Sequence, residues 1–219
     1  MLPSVILHNS VSIDGSLTGF EPDMALHYRI AAGYHPEATL IGSRTVLKGI
    51  ELFGEGVPPE EPCDFERPER EGSLPYWVII DTRGALQGML HSCRRFEYCR
   101  DVVVLVSGST PEEYLAHLEE RKYRHHEVGS DHVDLKQALE LLAETYQART
   151  VLTDTGQILG NLLLDQGLVS GISLLVHPVI VGARSYPIFG GLTNPLKLRL
   201  KHSEVFEKEY LWQVYEVER

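Results

Sequence analysis

The chain of 219 residues is 43% hydrophobic and 23% charged, which is typical of a soluble globular domain with a substantial core. A formal net charge of −11 without a visible basic patch argues against a nucleic-acid-binding protein, and no apolar run approaches the ~20 residues of a membrane-spanning helix. The segment "MLPSVILHNS" favours a first strand over a signal peptide. Cys63, Cys93 and Cys99 form no CxxC pair, which favours a reducing cytoplasm over a disulfide framework or a structural zinc site.

In the first third of the chain, the sequence pattern predicts a strand, a helix and a second strand, followed by a long loop. The strand "SVILHNSV" runs into a glycine-containing loop, and a helix is expected to begin near Pro22 and Asp23. The buried strand "ATLIG" follows. Residues 51–75 are rich in Pro, Glu and Gly and predict a long acidic surface loop, whose length is uncommon unless it serves as a lid or a dimer contact.

The remainder continues to alternate strands with helices and ends in a hairpin. Predicted strands are "YWVIID", "DVVVLVSGS" and "ISLLVHPVIVG", and "DLKQALELLAETYQA" is a strongly amphipathic helix. The final stretch, "LKLRLKHSEVFEKEYLWQVYEV", alternates like two antiparallel strands. This order predicts one α/β domain over residues 1–219, with a mixed, mostly parallel sheet flanked by helices and an antiparallel C-terminal hairpin.

The junction at Asp154-Thr155-Gly156 separates a β-branched strand, "TVLT", from a segment with helical spacing, "QILGNLLLDQ". Two interpretations are open. In the first, Gly156 relieves a tight turn while Asp154 or Thr155 caps the helix. In the second, N–H groups at the helix start bind an anion such as phosphate.

Two other predicted strands end in groups that suit an anionic ligand. "LIGSRT" combines a glycine, two hydroxyls and the guanidinium of Arg44, and "VIIDTRG" places Asp81 and Arg83 before a glycine. The alternative for each is a turn with an incidental surface arginine. Because parallel α/β sheets bind ligands outside the carboxyl ends of their strands, the three junctions together favour a ligand site.

Several common site types are not expected. The sequence lacks the dinucleotide signature GxGxxG and the phosphate loop GxxxxGK[ST], which disfavours a standard Rossmann oxidoreductase and a nucleoside triphosphatase. His125 and His126 are adjacent on a predicted strand, so their side chains point to opposite faces. They are interpreted as solvated or capping residues, and no metal site is predicted.

Five motifs in this order resemble the stand-alone pyrimidine reductase of riboflavin biosynthesis, which also forms the C-terminal half of bifunctional riboflavin deaminase–reductases. They are "NSVSIDGSLTGF", "LIGSRT", "VIIDTRG", "TDTGQILGNLLLDQGLV" and "LLVHPVIVG". The resemblance runs from the first strand to about residue 190. It implies a dihydrofolate-reductase-like fold, NADPH as cofactor, a homodimer and a phosphorylated pyrimidine substrate. The implied reaction reduces the ribosyl group of 2,5-diamino-6-ribosylamino-4(3H)-pyrimidinone 5′-phosphate to ribityl.

The resemblance also implies roles for matching residues. The NADPH phosphates would contact Gly42, Ser43, Arg44 and Thr45, and the adenosine ribose with its 2′-phosphate would contact Asp81, Thr82, Arg83 and Gly84. The pyrophosphate would meet backbone N–H groups of Thr155, Gly156, Gln157 and Ile158. Ser12 and Asp14 would line the substrate side near the nicotinamide.

Asp154 and His8 are the candidate catalytic residues, each as a proton donor with a pKa tuned by burial. Asp154 stands where many relatives have the Glu of an E-G-G motif, and His8 where bacterial relatives have a Lys. For His8 the alternative is a strand histidine bonded to a backbone carbonyl. The usual G-L-V-D-E appears here as "GLVSG", and the acidic-Pro loop after the G-x-x-T turn is replaced by "VLKGIELFGEG".

These departures leave two other functions open. One is a dihydrofolate-reductase-like enzyme acting on another substrate; dihydrofolate reductase itself is disfavoured because Trp77 and Trp212 lie outside the early Pro-Trp loop of that family. The other is a nucleotide-binding protein without reductase activity.

Overall fold

Residues 1–53, 56–70 and 72–218 are described by the computed structural model. Two units are distinguished by their internal contacts. Unit 1 contains Met1–Pro3 and Pro36–Arg149, and unit 2 contains Ser4–His35 and Thr150–Arg219. The expectation of one reductase domain over residues 1–219 stays a prediction.

The strands and helices follow the predicted order closely. The strands are β1 Ser4–Ser12, β2 Ala38–Gly42, β3 Tyr76–Ile80, β4 Val102–Val106, β5 Arg124–Glu127, β6 Thr150–Thr153, β7 Gly171–His177, β8 Leu198–Phe206 and β9 Tyr210–Val217. The α-helices are α1 Met24–Ala32, α2 Ser43–Phe53, α3 Leu90–Arg95, α4 Glu112–Glu120, α5 Leu135–Thr145 and α6 Gln157–Asp165. Short 3₁₀ turns lie at Pro62–Phe65 and Gly182–Arg184. Within the described ranges, no helix is both long enough and apolar enough to cross a membrane.

Unit 1 contains the parallel strands β5-β4-β3-β2, in that order. All five residues of β4 are buried, as expected for an inner strand of a parallel sheet that is covered on both faces. Side chains of the strands and the neighbouring helices form one apolar core, in which Ile79 and Val104 lie with Leu86, Tyr114 and Leu118.

Residues 51–75, predicted as a long acidic surface loop, include the end of a helix and a buried acidic residue. Residues 51–53 belong to helix α2, and residues 54, 55 and 71 lie outside the described residues. Asp64 is buried and accepts a hydrogen bond of 2.9 Å from Arg95 Nε, while Glu60 pairs with Arg121 at 2.7 Å. The acidic residues of segment 56–70 therefore anchor it to arginines of unit 1.

Unit 2 contains the order β6-β1-β7-β9-β8. Strand β1 is parallel to β6 and β7, and β9 is antiparallel to β7 and β8. Helix α1 begins at the predicted place because the Asp23 side chain accepts a hydrogen bond of 2.8 Å from the Leu26 N–H. Leu26 and Ile30 pack the helix against Leu175 of β7. The predicted fold class, a mostly parallel mixed sheet with a C-terminal hairpin, is confirmed.

Candidate active site

The junction between β6 and α6 does not contain the helix cap that the first interpretation requires. The capping position is Gly156, which has no side chain to make the capping hydrogen bond, and neither Asp154 nor Thr155 occupies that position. Gly156 has φ −69° and ψ 177°, an extended conformation that any residue adopts, so the glycine is not needed to relieve a tight turn. The backbone conformation therefore does not account for the glycine at position 156.

Asp154 is held from the inner side by two buried residues of unit 2. Asn9 Nδ2 donates to Asp154 Oδ1 at 3.1 Å and to the Thr155 carbonyl at 3.3 Å. His27 Nε2 lies 3.2 Å from Asp154 Oδ2, close enough for an ion pair but without the alignment of a hydrogen bond. The His27 side chain is 3% exposed and the Asp154 side chain 32% exposed. Asn9 and His27 thus fix the Asp154 carboxylate, while part of it remains accessible to solvent.

The charge of Asp154 follows from these contacts. Burial acts to raise the pKa of its carboxyl group, but the close approach of His27 and the hydrogen bond from Asn9 outweigh burial, so the pKa lies below its usual value. Asp154 is therefore a carboxylate at neutral pH. The direction of this pKa is opposite to the one expected for a proton donor, and the catalytic role of Asp154 stays a prediction.

His8 is fully buried, at 0% exposure, and both ring nitrogens have partners in unit 2. Trp212 Nε1 donates to Ser173 Oγ at 2.9 Å, which leaves the Ser173 hydroxyl hydrogen for His8 Nδ1, also at 2.9 Å. His8 Nε2 then donates to the His27 carbonyl at 3.2 Å. Burial, with a further contribution from His27, lowers the pKa of His8 to about 3. The geometry favours a neutral strand histidine bonded to a carbonyl over a catalytic acid.

Ser12 and Asp14 are engaged in bracing a loop. The buried Ser12 Oγ donates to Asp14 Oδ1 at 2.6 Å, and the Asp14 carboxylate accepts the N–H groups of Val181 and Gly182 at 3.1 and 2.8 Å. The Ser12 hydrogen bond, followed by those from Gly182 and Val181, lowers the pKa of Asp14 to about 2. Both side chains therefore stabilise the loop after β7, and their contact with substrate stays a prediction.

The loop Pro187–Gly191, which the sequence analysis left unassigned, lies directly against helix α6. Gln157 Nε2 donates to the Pro187 carbonyl at 2.8 Å. A Cβ at Gly190 would lie 2.4 Å from Gln157 Nε2, and a Cβ at Gly191 would lie 2.8 Å from Asn161 Nδ2. Two adjacent glycines thus allow the loop to approach the first turns of α6.

The "LIGSRT" junction in unit 1 is a strand that continues directly into a helix. Gly42 ends β2 and Ser43 begins α2, so Ser43, Arg44 and Thr45 form the first helical turn. The alternative of a turn at this motif therefore does not describe its backbone, and contact of these residues with the NADPH phosphates stays a prediction. Arg44 is exposed and has no carboxylate partner among the described residues.

The "VIIDTRG" junction is a compact turn in which the Asp81 carboxylate accepts hydrogen bonds from the backbone of the turn itself. Asp81 is buried, and its two oxygens accept the N–H groups of Ala85 and Leu86 at 3.0 and 2.9 Å. Gly84 has φ +70°, and a Cβ there would lie 2.8 Å from Tyr114 Cγ, so this position requires glycine. The Thr82 carbonyl accepts a hydrogen bond from Thr110. The arrangement favours a turn-forming role for Asp81 over a ribose contact, while Arg83 is exposed.

Asn9 and His27 are the site residues that the sequence analysis missed. Asn9 is buried on β1 and shares its strand face with the buried residues Leu7 and Val11, and His27 lies on the buried face of α1 beside Leu26. Polar side chains at such positions need partners, which is the signal that could have identified them.

The fold and this site define a class of protein. The mostly parallel mixed sheet with its antiparallel hairpin has the dihydrofolate-reductase-like architecture, with an accessible carboxylate directly after strand β6. The chain belongs to the RibD C-terminal domain family, whose profile matches residues 3–212. The resemblance to the reductases of riboflavin biosynthesis is thereby confirmed.

Solved structures share the fold at low sequence identity. A pyrimidine reductase-like protein of Corynebacterium diphtheriae is 18% identical with a TM-score of 0.72, and the match covers 99% of this chain and 92% of that protein. Riboflavin biosynthesis reductase Rib7 of Saccharomyces cerevisiae is 16% identical with a TM-score of 0.69, covering 99% and 90%. Acinetobacter baumannii RibD is 18% identical with a TM-score of 0.70, and the chain spans 58% of its length. A comparison with curated proteins finds no match.

Proposed function

We propose that this chain is an NADPH-dependent reductase that converts the ribosyl group of 2,5-diamino-6-ribosylamino-4(3H)-pyrimidinone 5′-phosphate to ribityl. The observation that carries the proposal is the accessible Asp154 carboxylate, held by Asn9 and His27 in a chain of the RibD C-terminal domain family. The descriptions of the similar Corynebacterium and yeast proteins as a pyrimidine reductase-like protein and a riboflavin biosynthesis reductase support the reaction class.

Asp154 has the properties that hydride addition to an imine requires of the protein. Bound NADPH would supply hydride to C1′ of the opened imine form of the sugar. A proton taken up from solvent by the imine nitrogen makes C1′ more electrophilic, and an adjacent carboxylate stabilises the resulting cation. Asn9 and His27 hold the Asp154 carboxylate in place, so little reorganisation is needed when that charge develops.

The predicted cofactor residues have donor groups that suit phosphate. In unit 2, helix α6 begins at Gln157 with Gly156 as its capping residue, and the N-terminus of a helix favours negative charge such as that of a phosphate. In unit 1, Arg44 and Arg83 are exposed and have no carboxylate partner in the described ranges of the chain. Guanidinium groups bind phosphate oxygens in pairs, so these residues fit a cofactor that has a 2′-phosphate.

Arg44→Ala and Arg83→Ala are expected to weaken NADPH binding at least about tenfold, because each removes a charge-assisted contact. Binding of NADH, which lacks the 2′-phosphate, should change little. Quenching of tryptophan fluorescence measures both affinities. Arg199→Ala, at an exposed arginine of β8 that pairs with Glu218, is the matched control and should alter neither. Equal losses for NADPH and NADH would rule out the assigned role.

An assay of NADPH oxidation distinguishes the proposed reaction from its alternatives. Oxidation that depends on the ribosylaminopyrimidine phosphate supports the proposal, and oxidation with another substrate only identifies a reductase of different specificity. Quenching by NADPH without turnover on any offered substrate identifies a nucleotide-binding protein.

We further propose a homodimer formed through the C-terminal hairpin. Tyr210, Leu211, Trp212 and Tyr215 of β9 are partly buried, whereas Leu198, Leu200 and Val205 of β8 are exposed. An exposed apolar strand favours association, and a stable interface buries at least ~1,000 Å². We expect light scattering at micromolar concentration to give the mass of two chains, and Leu200→Lys with Val205→Lys to give that of one. A monomeric unaltered protein would exclude the dimer.

A reducing, cytoplasmic compartment is proposed from the cysteines. Cys63, Cys93 and Cys99 are all free, and Cys63 is exposed. Burial raises the pKa of the Cys93 thiol to about 12, so this group is unreactive. An exposed free thiol persists most readily where disulfides are reduced.

A further inference from the structure

A second concave site lies in unit 1, at the amino ends of β3, β4 and β5. It is a cavity of about 590 Å³, lined in part by Arg67, Tyr76, Arg100, Arg124, His126 and Tyr146. Tyr76 and Arg124 are the first residues of β3 and β5. Asp81 follows the opposite end of β3, and a strand of five residues is roughly 13 Å long from first to last Cα. The cavity is therefore separate from the residues assigned to the cofactor in unit 1.

The cavity collects positive charge on a chain whose net charge is −11. None of its described lining residues is acidic. Arg124 pairs with Asp101 at 2.6 Å, but in the part of the chain that the structure describes neither Arg67 nor Arg100 contacts a carboxylate. Among the described residues, Arg67 donates a hydrogen bond only from its Nε, to the Lys122 carbonyl at 3.1 Å. Two guanidinium groups without counter-charges favour an anion.

Planar groups surround these charges. The guanidinium carbons of Arg100 and Arg124 lie 4.7 and 5.5 Å from the centre of the Tyr76 ring. The Tyr146 ring meets Tyr76 edge-on at 5.0 Å. Tyr146 is fixed on its other side by a 2.7 Å hydrogen bond between its hydroxyl and His126 Nε2. Rings and guanidinium planes of this kind stack on aromatic ligands.

His126 does not add to the positive charge of the arginines. Burial, with the nearby His125 and Arg124, lowers the pKa of His126, which is therefore neutral at neutral pH. The bond between His126 and Tyr146 explains the second histidine of the "RHHE" strand as a support for the aromatic wall.

We propose that this cavity binds a phosphorylated heteroaromatic molecule of mononucleotide size. The arginine forks match phosphate oxygens, and the tyrosines match a planar ring. The volume lies within the range of about 300–1,000 Å³ that small-molecule sites occupy, whereas a lone phosphate would fill only a small part of it.

Calorimetric titration with adenosine 5′-monophosphate tests the proposal, with adenosine and inorganic phosphate as comparison probes. We expect the monophosphate to bind at least about tenfold more tightly than either comparison probe. The double variant Arg67→Gln/Arg100→Gln should weaken its binding at least about tenfold. The matched double variant Arg44→Gln/Arg83→Gln, which alters the proposed cofactor residues, should leave this binding intact.

Three results would overturn the proposal. They are equal binding of adenosine and its monophosphate, a loss confined to the Arg44/Arg83 variant, and no binding at millimolar concentration. If the Arg67/Arg100 variant does not fold, NMR signals of His126 and Tyr146 in the unaltered protein decide the matter. They should shift on titration with the monophosphate, and unmoved signals also exclude this site.

Discussion

Replacing Asp154 with asparagine is expected to lower turnover about 100-fold while leaving NADPH affinity nearly unchanged. The substitution keeps an oxygen that can accept the hydrogen bond from Asn9, so the geometry of the junction is retained. It removes the negative charge that would stabilise the protonated imine. Steady-state kinetics measure turnover, and fluorescence quenching measures cofactor binding.

Asp165→Asn is the matched control for Asp154→Asn. Asp165 ends helix α6, and its carboxylate accepts bonds of 3.2 and 2.8 Å from the backbone and hydroxyl of Thr193. It is the same residue type at the far end of the helix that begins beside Asp154, so its substitution should leave turnover unchanged. Full turnover by folded Asp154→Asn, or a loss that merely follows unfolding, would exclude a role in the reaction.

The fold was predictable because its signals are local. Apolar runs identified buried parallel strands such as β4, and Asp23 marked the start of α1 through its capping bond to Leu26. The glycine at 156 left two interpretations open, because a local signal does not give the backbone conformation. Glycine is typical of a turn with positive φ, but the observed φ of −69° is open to any residue.

The site around Asp154 is formed by contacts between residues that are distant in the sequence. Local sequence patterns do not predict such contacts. His27 and Asp154 are 127 residues apart in the sequence. They come within 3.2 Å of each other because α1 packs on the sheet of unit 2. Similarly, the acidic composition of residues 51–75 predicted solvent exposure. Asp64 is instead buried against Arg95, 31 residues further along the chain.

Replacing Arg94 with methionine is expected to lower the free energy of unfolding by about 3–5 kcal/mol, the usual cost of breaking a buried ion pair by removing one partner. Arg94 is 3% exposed, and its Nε donates to Asp101 Oδ1 at 3.0 Å. Its Nη1 donates to the carbonyls of Asp64 and Arg121 at 2.7 and 3.1 Å, which joins segment 56–70 to the end of α4. The guanidinium also lies 3.8 Å from the centre of the Tyr123 ring.

Urea denaturation measures the loss of stability for Arg94→Met, and limited proteolysis reports the release of segment 56–70. Methionine retains much of the apolar stem of arginine, so the change isolates the charge and its hydrogen bonds. Arg199→Met is the matched control, because Arg199 and Glu218 form an exposed pair whose loss should cost no more than about 1 kcal/mol. Segment 56–70 should become cleavable in Arg94→Met and stay resistant in Arg199→Met. Equal destabilisation and equal cleavage in the two variants would show that Arg94 does not anchor the segment.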